Sequence, residues 1–283
     1  MKNILLPTDF SDNSWNAIAY ALQFFEKSSC NFYLLHVKSL SYIADGDMTF
    51  ATNQETIEDV YIKPSKLKLR KLLKRILEQF PNHNNHKFYT LTDYNFFIES
   101  IRHHVEEKKI DVIVMGTKGA SGLKELIIGS NTGDIITKVH CTTLVIPENA
   151  KFTIPKEIAF PTDFSISYNL QTLQPVSDIL KNFNSAIRVL HLSKKGSELN
   201  LSQQKSKELL EDYFNNHKYS FHFLTNEKIE DAVQCFVESR NIDMIIMAAK
   251  NLNYFQRILF LPTVEKISYH TDVPFLVLHE KHT

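Results

Sequence analysis

The sequence has no net charge, no cysteine framework and no long apolar run, and each absence excludes a class of protein. Its 32 basic residues balance 32 acidic residues, so no overall positive field attracts nucleic acid or an anionic membrane. Three widely spaced cysteines, Cys30, Cys141 and Cys235, suit neither a disulfide framework nor a clustered zinc site. No run approaches the roughly 20 apolar residues of a membrane-spanning helix. We therefore predict no nucleic-acid partner and no membrane partner, and we assign no metal ligands.

The remaining composition indicates a globular protein long enough for two domains. Hydrophobic residues make up 43% of the 283 residues and charged residues 23%, as in folded rather than disordered chains. The apolar stretch within MKNILLPTDF is shorter than the core of a secretory signal, and no small-residue cleavage site follows it. Isolated thiols suit a reducing compartment. Together these features predict a cytoplasmic protein.

Glycine is scarce, and its distribution is informative. Five of the seven glycines lie within MGTKGASGLKELIIGSNTG, whose first glycine, Gly116, follows the apolar run at 111–115. Glycine allows a backbone to turn sharply or to approach a ligand closely. The spacing Gly116-x2-Gly119-x9-Gly129-Ser130 matches neither GxxxxGK[ST] nor GxGxxG. It predicts a strand-to-helix loop whose backbone amides hold phosphate; the alternative is that the glycines only permit a tight turn.

The chain contains an internal duplication. The segment NILLPTDFS at 3–11 returns as EIAFPTDFS at 157–165. Three further matches follow in the same order: 32–37 with 187–192, 109–115 with 241–247, and 143–146 with 275–278. Each copy has the size of a domain. We predict two domains, 1–149 and 153–283.

Short apolar runs alternate with helical patterns in each copy. In the first copy, strands are predicted at 2–6, 31–37, 88–91, 110–115 and 142–146, and helices at 14–26, 56–80, 96–107 and 130–139. Such alternation predicts an α/β fold with a doubly wound parallel sheet covered on both faces. A ligand is then expected at the carboxyl ends of the strands. The extra residues 39–64 are predicted to form either a loop covering that crevice or a surface insertion.

Histidines and lysines outside the glycine segment favour structural interpretations. His36 and His191 occupy matching positions near the ends of the second strands, which predicts a structural role. His103 and His104 are adjacent on a predicted helix, so we expect them to point apart and not to share a metal ion. The basic run Lys66–Arg75 predicts a solvated helix face, with a patch for an anion or an acidic partner as the alternative.

On these motifs the chain resembles the universal stress protein family in its tandem, two-domain form. The spacing G-x2-G-x9-G-[ST], together with an Asp ending the first strand, is that family's ATP-binding pattern. The resemblance implies two five-stranded parallel sheets in order 3-2-1-4-5, with ATP (or AMP or ADP) between the ends of strands 1 and 4. It implies that Asp9 contacts the nucleoside and that Val37 touches adenine. The positions that it implies face phosphate are Gly119, Gly129, Ser130, Asn131 and Thr132. The matching site positions are Pro7, Thr8, Asp9, Val37, Met115, Gly116, Gly119, Gly129, Ser130, Asn131 and Thr132.

The second copy keeps the first-strand motif but loses the glycines. Pro161, Thr162 and Asp163 are present, whereas the counterparts of Gly116, Gly119, Gly129 and Ser130 are Ala248, Asn251, Leu261 and Pro262. Leucine would fill the space that phosphate needs, and proline has no amide hydrogen to donate. We therefore predict one nucleotide site per chain. Because the tripeptide survives without the loop, Asp9 could also serve only to cap the turn that follows it.

The resemblance implies a nucleotide-binding regulatory module of the stress response, acting on a protein partner that the sequence does not identify. It also implies an intramolecular pseudo-dimer through the final strands, 142–146 and 275–278; association into a homodimer stays open. A Mg²⁺ ion, if bound, would be held through the phosphates and water, because no carboxylate cluster accompanies the loop. The alternatives are a slow ATPase or self-phosphorylating enzyme, and a binder of another small ligand. No catalytic residue is assigned, since no nucleophilic triad can be assembled.

Overall fold

The strands of the described residues form one ten-stranded sheet. The computed structural model describes residues 1–39, 58–81, 85–117, 130–166, 168–193, 198–225, 229–249 and 272–280. The strands of the first half are β1 (Lys2–Pro7), β2 (Cys30–Ser39), β3 (His86–Asn95), β4 (Val112–Gly116) and β5 (Thr142–Ile146). Those of the second half are β6 (Glu157–Thr162), β7 (Ala186–Ser193), β8 (Lys218–Thr225), β9 (Met244–Ala248) and β10 (Phe275–Leu278).

The strand order repeats within the sheet. It runs β3-β2-β1-β4-β5-β10-β9-β6-β7-β8, so each half has the order 3-2-1-4-5 and the second half is laid down in reverse across the sheet. Pairing within each half is parallel. The pairing of β5 with β10 is antiparallel, with Leu144 opposite Leu276. The doubly wound α/β fold predicted from the sequence is confirmed.

Helices cover both faces of the sheet. They are α1 (Asp12–Phe24), α2 (Lys63–Gln79), α3 (Phe97–Glu107), α4 (Ser130–Lys138), α5 (Leu170–Phe183), α6 (Leu201–Phe214) and α7 (Ile229–Ser239). In the first half, Ile18 of α1 and Leu69 of α2 are buried in one core cluster, whereas Ile101 of α3 and Ile135 of α4 are buried in another. Successive pairs of helices therefore lie on opposite faces, as a doubly wound sheet requires.

The burial of each strand follows its place in the sheet. All five residues of β4, β5 and β9 are buried, as expected for central parallel strands covered on both faces. The edge strands β3 and β8 instead contain only half-buried and exposed residues. No helix among the described residues combines the length and the apolar character needed to cross a bilayer.

The hydrophobic core is continuous from one half to the other. The largest cluster contains Ile4 and Leu144 from the first half together with Ile158 and Leu276 from the second. On the opposite face, Ile136 and Val145 of the first half are in a cluster whose other members belong to the second half. Burial of each such side chain contributes about 1.5–3 kcal/mol to folding. The β5–β10 seam is therefore a packed interior.

Two segment boundaries differ from the sequence-based expectation. Residues 58–62 form a short π-helical turn that runs directly into α2, within the helix predicted at 56–80. The C-terminal part of the overlapping stretch 39–64, interpreted as a loop or insertion, is therefore helical; residues 40–57 lie outside the described residues. Strand β3 was predicted only at 88–91, but its pairing with β2 continues from His86 to Asn95. Its polar, exposed positions are those of an edge strand and hide it from a search for apolar runs.

Candidate functional site

The turn between β1 and α1 is fixed by its own side chains. Pro7 ends β1, and the buried Thr8 donates its backbone N–H to Leu35 O of β2 at 2.8 Å. The exposed Asp9 accepts bonds at Oδ1 from Ser11 N (2.9 Å) and Ser11 Oγ (2.6 Å). Ser11 in turn caps α1 by accepting from Ser14 N. The carboxylate of Asp9 therefore stands at the carboxyl end of β1, and one of its oxygens holds the turn.

A histidine supports the strained part of this turn. Phe10 has φ of 67°, a left-handed conformation that is uncommon for a bulky residue. His36 Nδ1 lies 2.7 Å from Thr8 O, and its ring lies 4.5 Å from that of Phe10. Burial lowers the pKa of His36, so the neutral ring donates from Nδ1 to the carbonyl. His36 is a positioning residue of the turn, and the structural interpretation of it is confirmed.

The end of β4 shows why a glycine stands there. A Cβ on Gly116 would lie 3.2 Å from Asn13 O in the first turn of α1, so glycine lets that helix approach the strand end closely. Thr132, buried near the start of α4, donates its hydroxyl to Gly116 O at 2.9 Å. The N-terminal turns of α1 and α4 are therefore both in contact with Gly116.

The described residues predicted for the nucleotide lie along the side of the sheet where the parallel strands of the first half have their carboxyl ends. Strands β1, β2 and β4 are parallel neighbours, so their carboxyl ends, which carry Asp9, Val37 and Gly116, share that side. Ser130 and Asn131 are exposed at the first two positions of α4, whereas Met115 is buried and Val37 half-buried against the first-half core. Gly119 and Gly129 lie outside the described residues. The hydroxyl of Thr132 is engaged by Gly116 O.

This side of the sheet has the electrostatic character of an anion site. The first N–H groups of a helix have no partner within the helix and carry a partial positive charge. Two such helix ends, those of α1 and α4, meet at Gly116, one through Asn13 and the other through Thr132. Because Gly116 has no side chain, α1 packs directly against the end of β4 and its start lies close to that of α4, an arrangement that favours an anion in front of the two helix ends.

The matching turn of the second half is nearly identical. Phe164 has φ of 57°, and Asp163 Oδ1 accepts from Ser165 N at 2.9 Å and from Ser165 Oγ at 2.7 Å. His191 Nδ1 lies 3.1 Å from Thr162 O, and burial lowers the pKa of His191 as it does that of His36. The turn and its histidine are therefore features of the repeated fold, and the structural interpretation of His191 is confirmed.

The surroundings of that second turn differ. Helix α5 begins at Leu170 with Asn169 as its cap, four residues later than the counterpart of the α1 start. Gln203 of α6 donates from Nε2 to Asp163 O at 2.8 Å, so a side chain occupies the vicinity of that turn. Ala248 stands in place of Gly116 and is buried. Residues 250–271, which include Asn251, Leu261 and Pro262, lie outside the described residues.

Sequence reasoning missed several residues that shape the first site. Asn13 sets the contact with Gly116, and Ser14 Oγ lies 3.0 Å from Thr8 Oγ1. Tyr61 and Tyr94 stack with ring centroids 4.8 Å apart and place two aromatic rings near the carboxyl end of β3. In the second half Tyr168, the counterpart of Ser14, likewise reaches the matching threonine. Because the two positions carry different residue types, the repeat gave no sequence signal for this contact, and none marked Tyr61 and Tyr94.

Comparison with known proteins identifies the family. The sequence model of the universal stress protein family matches residues 1–147, about half of the chain. The chain belongs to the universal stress protein family. Two curated universal stress proteins of Methanocaldococcus jannaschii are similar to it: one is 28% identical over 150 residues (53% of this chain, 84% of the relative), the other 27% identical over 155 residues (51% and 94%).

A solved structure matches the whole fold. The crystal structure of a universal stress protein from Archaeoglobus fulgidus is similar over 97% of both chains, with a TM-score of 0.69 and 17% sequence identity. At this identity the likeness concerns the fold alone. It extends over both halves of the chain, whereas the sequence match to the family concerns only the first half.

Proposed function

We propose that the first half of this universal stress protein binds one adenine nucleotide, ATP or its AMP or ADP products, at the carboxyl ends of β1 and β4. The observation that carries the proposal is the meeting of two helix N-termini at Gly116, a residue without a side chain. The family's glycine spacing continues from Gly116 into the start of α4. Both features favour a bound polyphosphate.

The nucleoside would lie on the β1–β2 side of the crevice. Asp9 offers a carboxylate at the exposed end of β1, suited to accepting bonds from ribose hydroxyls. Val37 offers a half-buried apolar surface at the end of β2, suited to an adenine face. The phosphates would then extend past Gly116 toward Ser130 and Asn131. A Mg²⁺ ion would be held through phosphate oxygens and water.

A regulatory role follows from the pairing of the halves. We assign the halves 1–149 and 153–283 to two domains that form an intramolecular pseudo-dimer through β5 and β10. The nucleotide in the first domain would bias how the chain meets a protein partner, and the second domain would act as a built-in subunit. Cys30, Cys141 and Cys235 form no disulfide, which fits action in the reducing cytoplasm.

Calorimetry on nucleotide-free protein tests the proposal. We expect about one ATP or AMP per chain and no second site. Gly129→Leu places in the first half the residue that the second half carries at Leu261. Losing two amide–phosphate bonds of about 1.5 kcal/mol each should weaken binding on the order of 100-fold. The matched control, Ala248→Gly, should leave affinity and stoichiometry unchanged.

Three outcomes would contradict parts of this proposal. Two equal sites would contradict the loss of binding in the second half. Unchanged affinity in Gly129→Leu would remove the glycine segment from the site. Steady phosphate release that disappears in Gly129→Leu would favour a slow ATPase over a binding module. Mass spectrometry of small molecules released from the purified protein identifies any ligand other than an adenine nucleotide.

A further inference from the structure

The last turn of α3 gathers three potential metal ligands outside the nucleotide crevice. The ligand atoms of His103, His104 and Glu107 all lie within 4.8 Å of one another. Glu107 Oε2 is 3.4 Å from His103 Nε2 and 3.7 Å from His104 Nδ1. The two imidazole rings are 5.2 Å apart, so the expectation that adjacent histidines point apart is wrong here. Both reach the same carboxylate because Glu107 stands three and four residues further along the helix.

His104 is the central member of the cluster. Only 6% of this residue is exposed. Its Nε2 lies 2.9 Å from Asp93 Oδ2 on the edge strand β3, whereas its Nδ1 is buried without a hydrogen-bond partner. When a carboxylate accepts a hydrogen bond from the N–H of one nitrogen of a neutral imidazole, the other nitrogen keeps its lone pair. This is the usual arrangement around a histidine that binds a metal. The unpartnered nitrogen points toward Glu107.

The second half shows that packing alone does not require histidine at this position. The matched runs 109–115 and 241–247 place Phe236 opposite His104, with Cys235 and Ser239 opposite His103 and Glu107. The strand pairing places Leu224 opposite Asp93. Phe236 is 5% exposed and belongs to the second-half core. The same buried place is therefore filled by an apolar ring in one half and by an imidazole with a free lone pair in the other.

We propose that His103, His104 and Glu107 bind a divalent transition-metal ion of the zinc type, with Asp93 orienting His104. Two imidazole nitrogens and one carboxylate oxygen form a ligand set typical of Zn²⁺, and solvent completes the coordination. Glu107 pairs through Oε1 with Lys108, which leaves Oε2 facing the histidines. His103 is exposed, so its ring can rotate to bring its nitrogen closer to that of His104. The partial negative charge at the end of α3 also favours a cation.

The test uses untagged full-length protein, stripped with a chelator and free of nucleotide. Calorimetric titration with Zn²⁺ alone should give one tight site per chain, and Co²⁺ should produce the visible absorption of a tetrahedral site. His104→Phe copies the second half and should abolish the tight site while retaining the circular dichroism spectrum. Glu107→Gln and His103→Ala, both at the surface, should weaken Zn²⁺ binding on the order of 100-fold. Asp93→Asn should weaken it about tenfold, as expected for a residue that orients a ligand.

A matched histidine control separates this site from general histidine binding. His140→Gln removes another exposed histidine and should leave Zn²⁺ affinity and stoichiometry unchanged. Zn²⁺ should raise the unfolding temperature of the wild type and of His140→Gln but not of His104→Phe. If the wild type binds no Zn²⁺, or if His104→Phe and Glu107→Gln bind it as tightly as the wild type, the proposal is overturned. In that case His104 serves as a hydrogen-bonding link between α3 and β3.

Discussion

The two halves of this chain contain the same first turn in different surroundings. In both, an aspartate accepts two bonds from the serine two residues later, and a phenylalanine with positive φ lies against a neutral histidine. Because the second half keeps all these contacts, they belong to the folding of the repeated unit. The contacts of the Pro-Thr-Asp motif therefore do not distinguish the first half from the second.

What differs is the arrangement of helix starts around the end of the fourth strand. In the first half, α1 begins immediately after the turn and its Asn13 contacts Gly116. In the second half, the helix begins later, at Leu170, and Ala248 takes the glycine's place. The comparison teaches that a shared fold and turn can be retained while the helix start and the residue that ends the fourth strand change.

The largest expected effect on stability concerns the β5–β10 seam, where side chains of both halves pack in one core. Leu144 and Leu276 are cross-strand partners in one buried cluster. Leu144→Ala and Leu276→Ala should each lower the free energy of unfolding by about 2–5 kcal/mol. Because the side chains are neighbours, the double variant should depart from additivity by about 0.5–3 kcal/mol.

Urea unfolding of the four proteins measures this coupling. Pronounced coupling with a single transition would mean that the halves unfold together. Additive effects combined with two separate transitions would contradict a shared interior and would make the halves independent units.

A smaller effect should follow acidification, again at the seam. Burial and the nearby His140 lower the pKa of His279, just after β10, to about 4. The unfolded state takes up a proton near pH 6.5 and the folded state does not, so stability is complete above pH 6.5 and falls as the pH decreases toward 4. Between pH 7 and pH 5 the loss of stability expected from His279 alone is about 2 kcal/mol. His279→Gln should show a shallower dependence in urea unfolding; parallel curves for the two proteins would refute the assignment.

The pair Gly116→Ala and Ala248→Gly exchanges the residues that end the matching strands β4 and β9. Gly116→Ala should destabilise the protein by about 1–2 kcal/mol, because the new Cβ meets Asn13 O at 3.2 Å. It should also weaken nucleotide binding by displacing the start of α1. Ala248→Gly should cost only about 0.5–1 kcal/mol, through backbone entropy. Thermal unfolding with calorimetry distinguishes the two, and equal effects on nucleotide binding would contradict the assignment of the site to one half.

The smallest difference in stability is expected between Asp9→Ala and Asp163→Ala. Both remove the same two bonds to a serine, so each should lower stability by a similar amount, about 1–2 kcal/mol. Only Asp9→Ala should weaken nucleotide binding, by about tenfold. If neither variant changes the affinity, Asp9 is solely a turn residue.

The fold could be predicted from the sequence because its signals are local and repeated. Buried strands such as β4 are continuous apolar runs. The duplication shows the same type of run a second time, which supports the assignment of each strand. The edge strand β3 was underestimated because its polar positions face solvent. The π-helical turn at 58–62 was predicted as part of the longer helix at 56–80, because five residues are too few to show a spacing of apolar residues different from that of an α-helix.

The candidate site was less predictable, because its contacts join residues distant in sequence. Gly116 was singled out by composition, but its contact with Asn13 is set by the angle at which α1 leaves the turn. The cluster at His103 and His104 was dismissed on helical geometry that considered only the two histidines. Asp93, which holds the ring of His104, lies on β3 and belongs to no motif that would have indicated the contact.

The position of β10 has a consequence for how the chain is made. This strand is the last of the second half, yet it lies in the middle of the sheet between β5 and β9. During synthesis the first half can therefore complete its five strands while β5 still presents unpaired backbone groups to the surroundings. A nascent chain halted before Phe275 would leave the backbone groups of β5 and β9 unpaired along one side of each strand. A strand of another polypeptide could pair with them as readily as the missing β10.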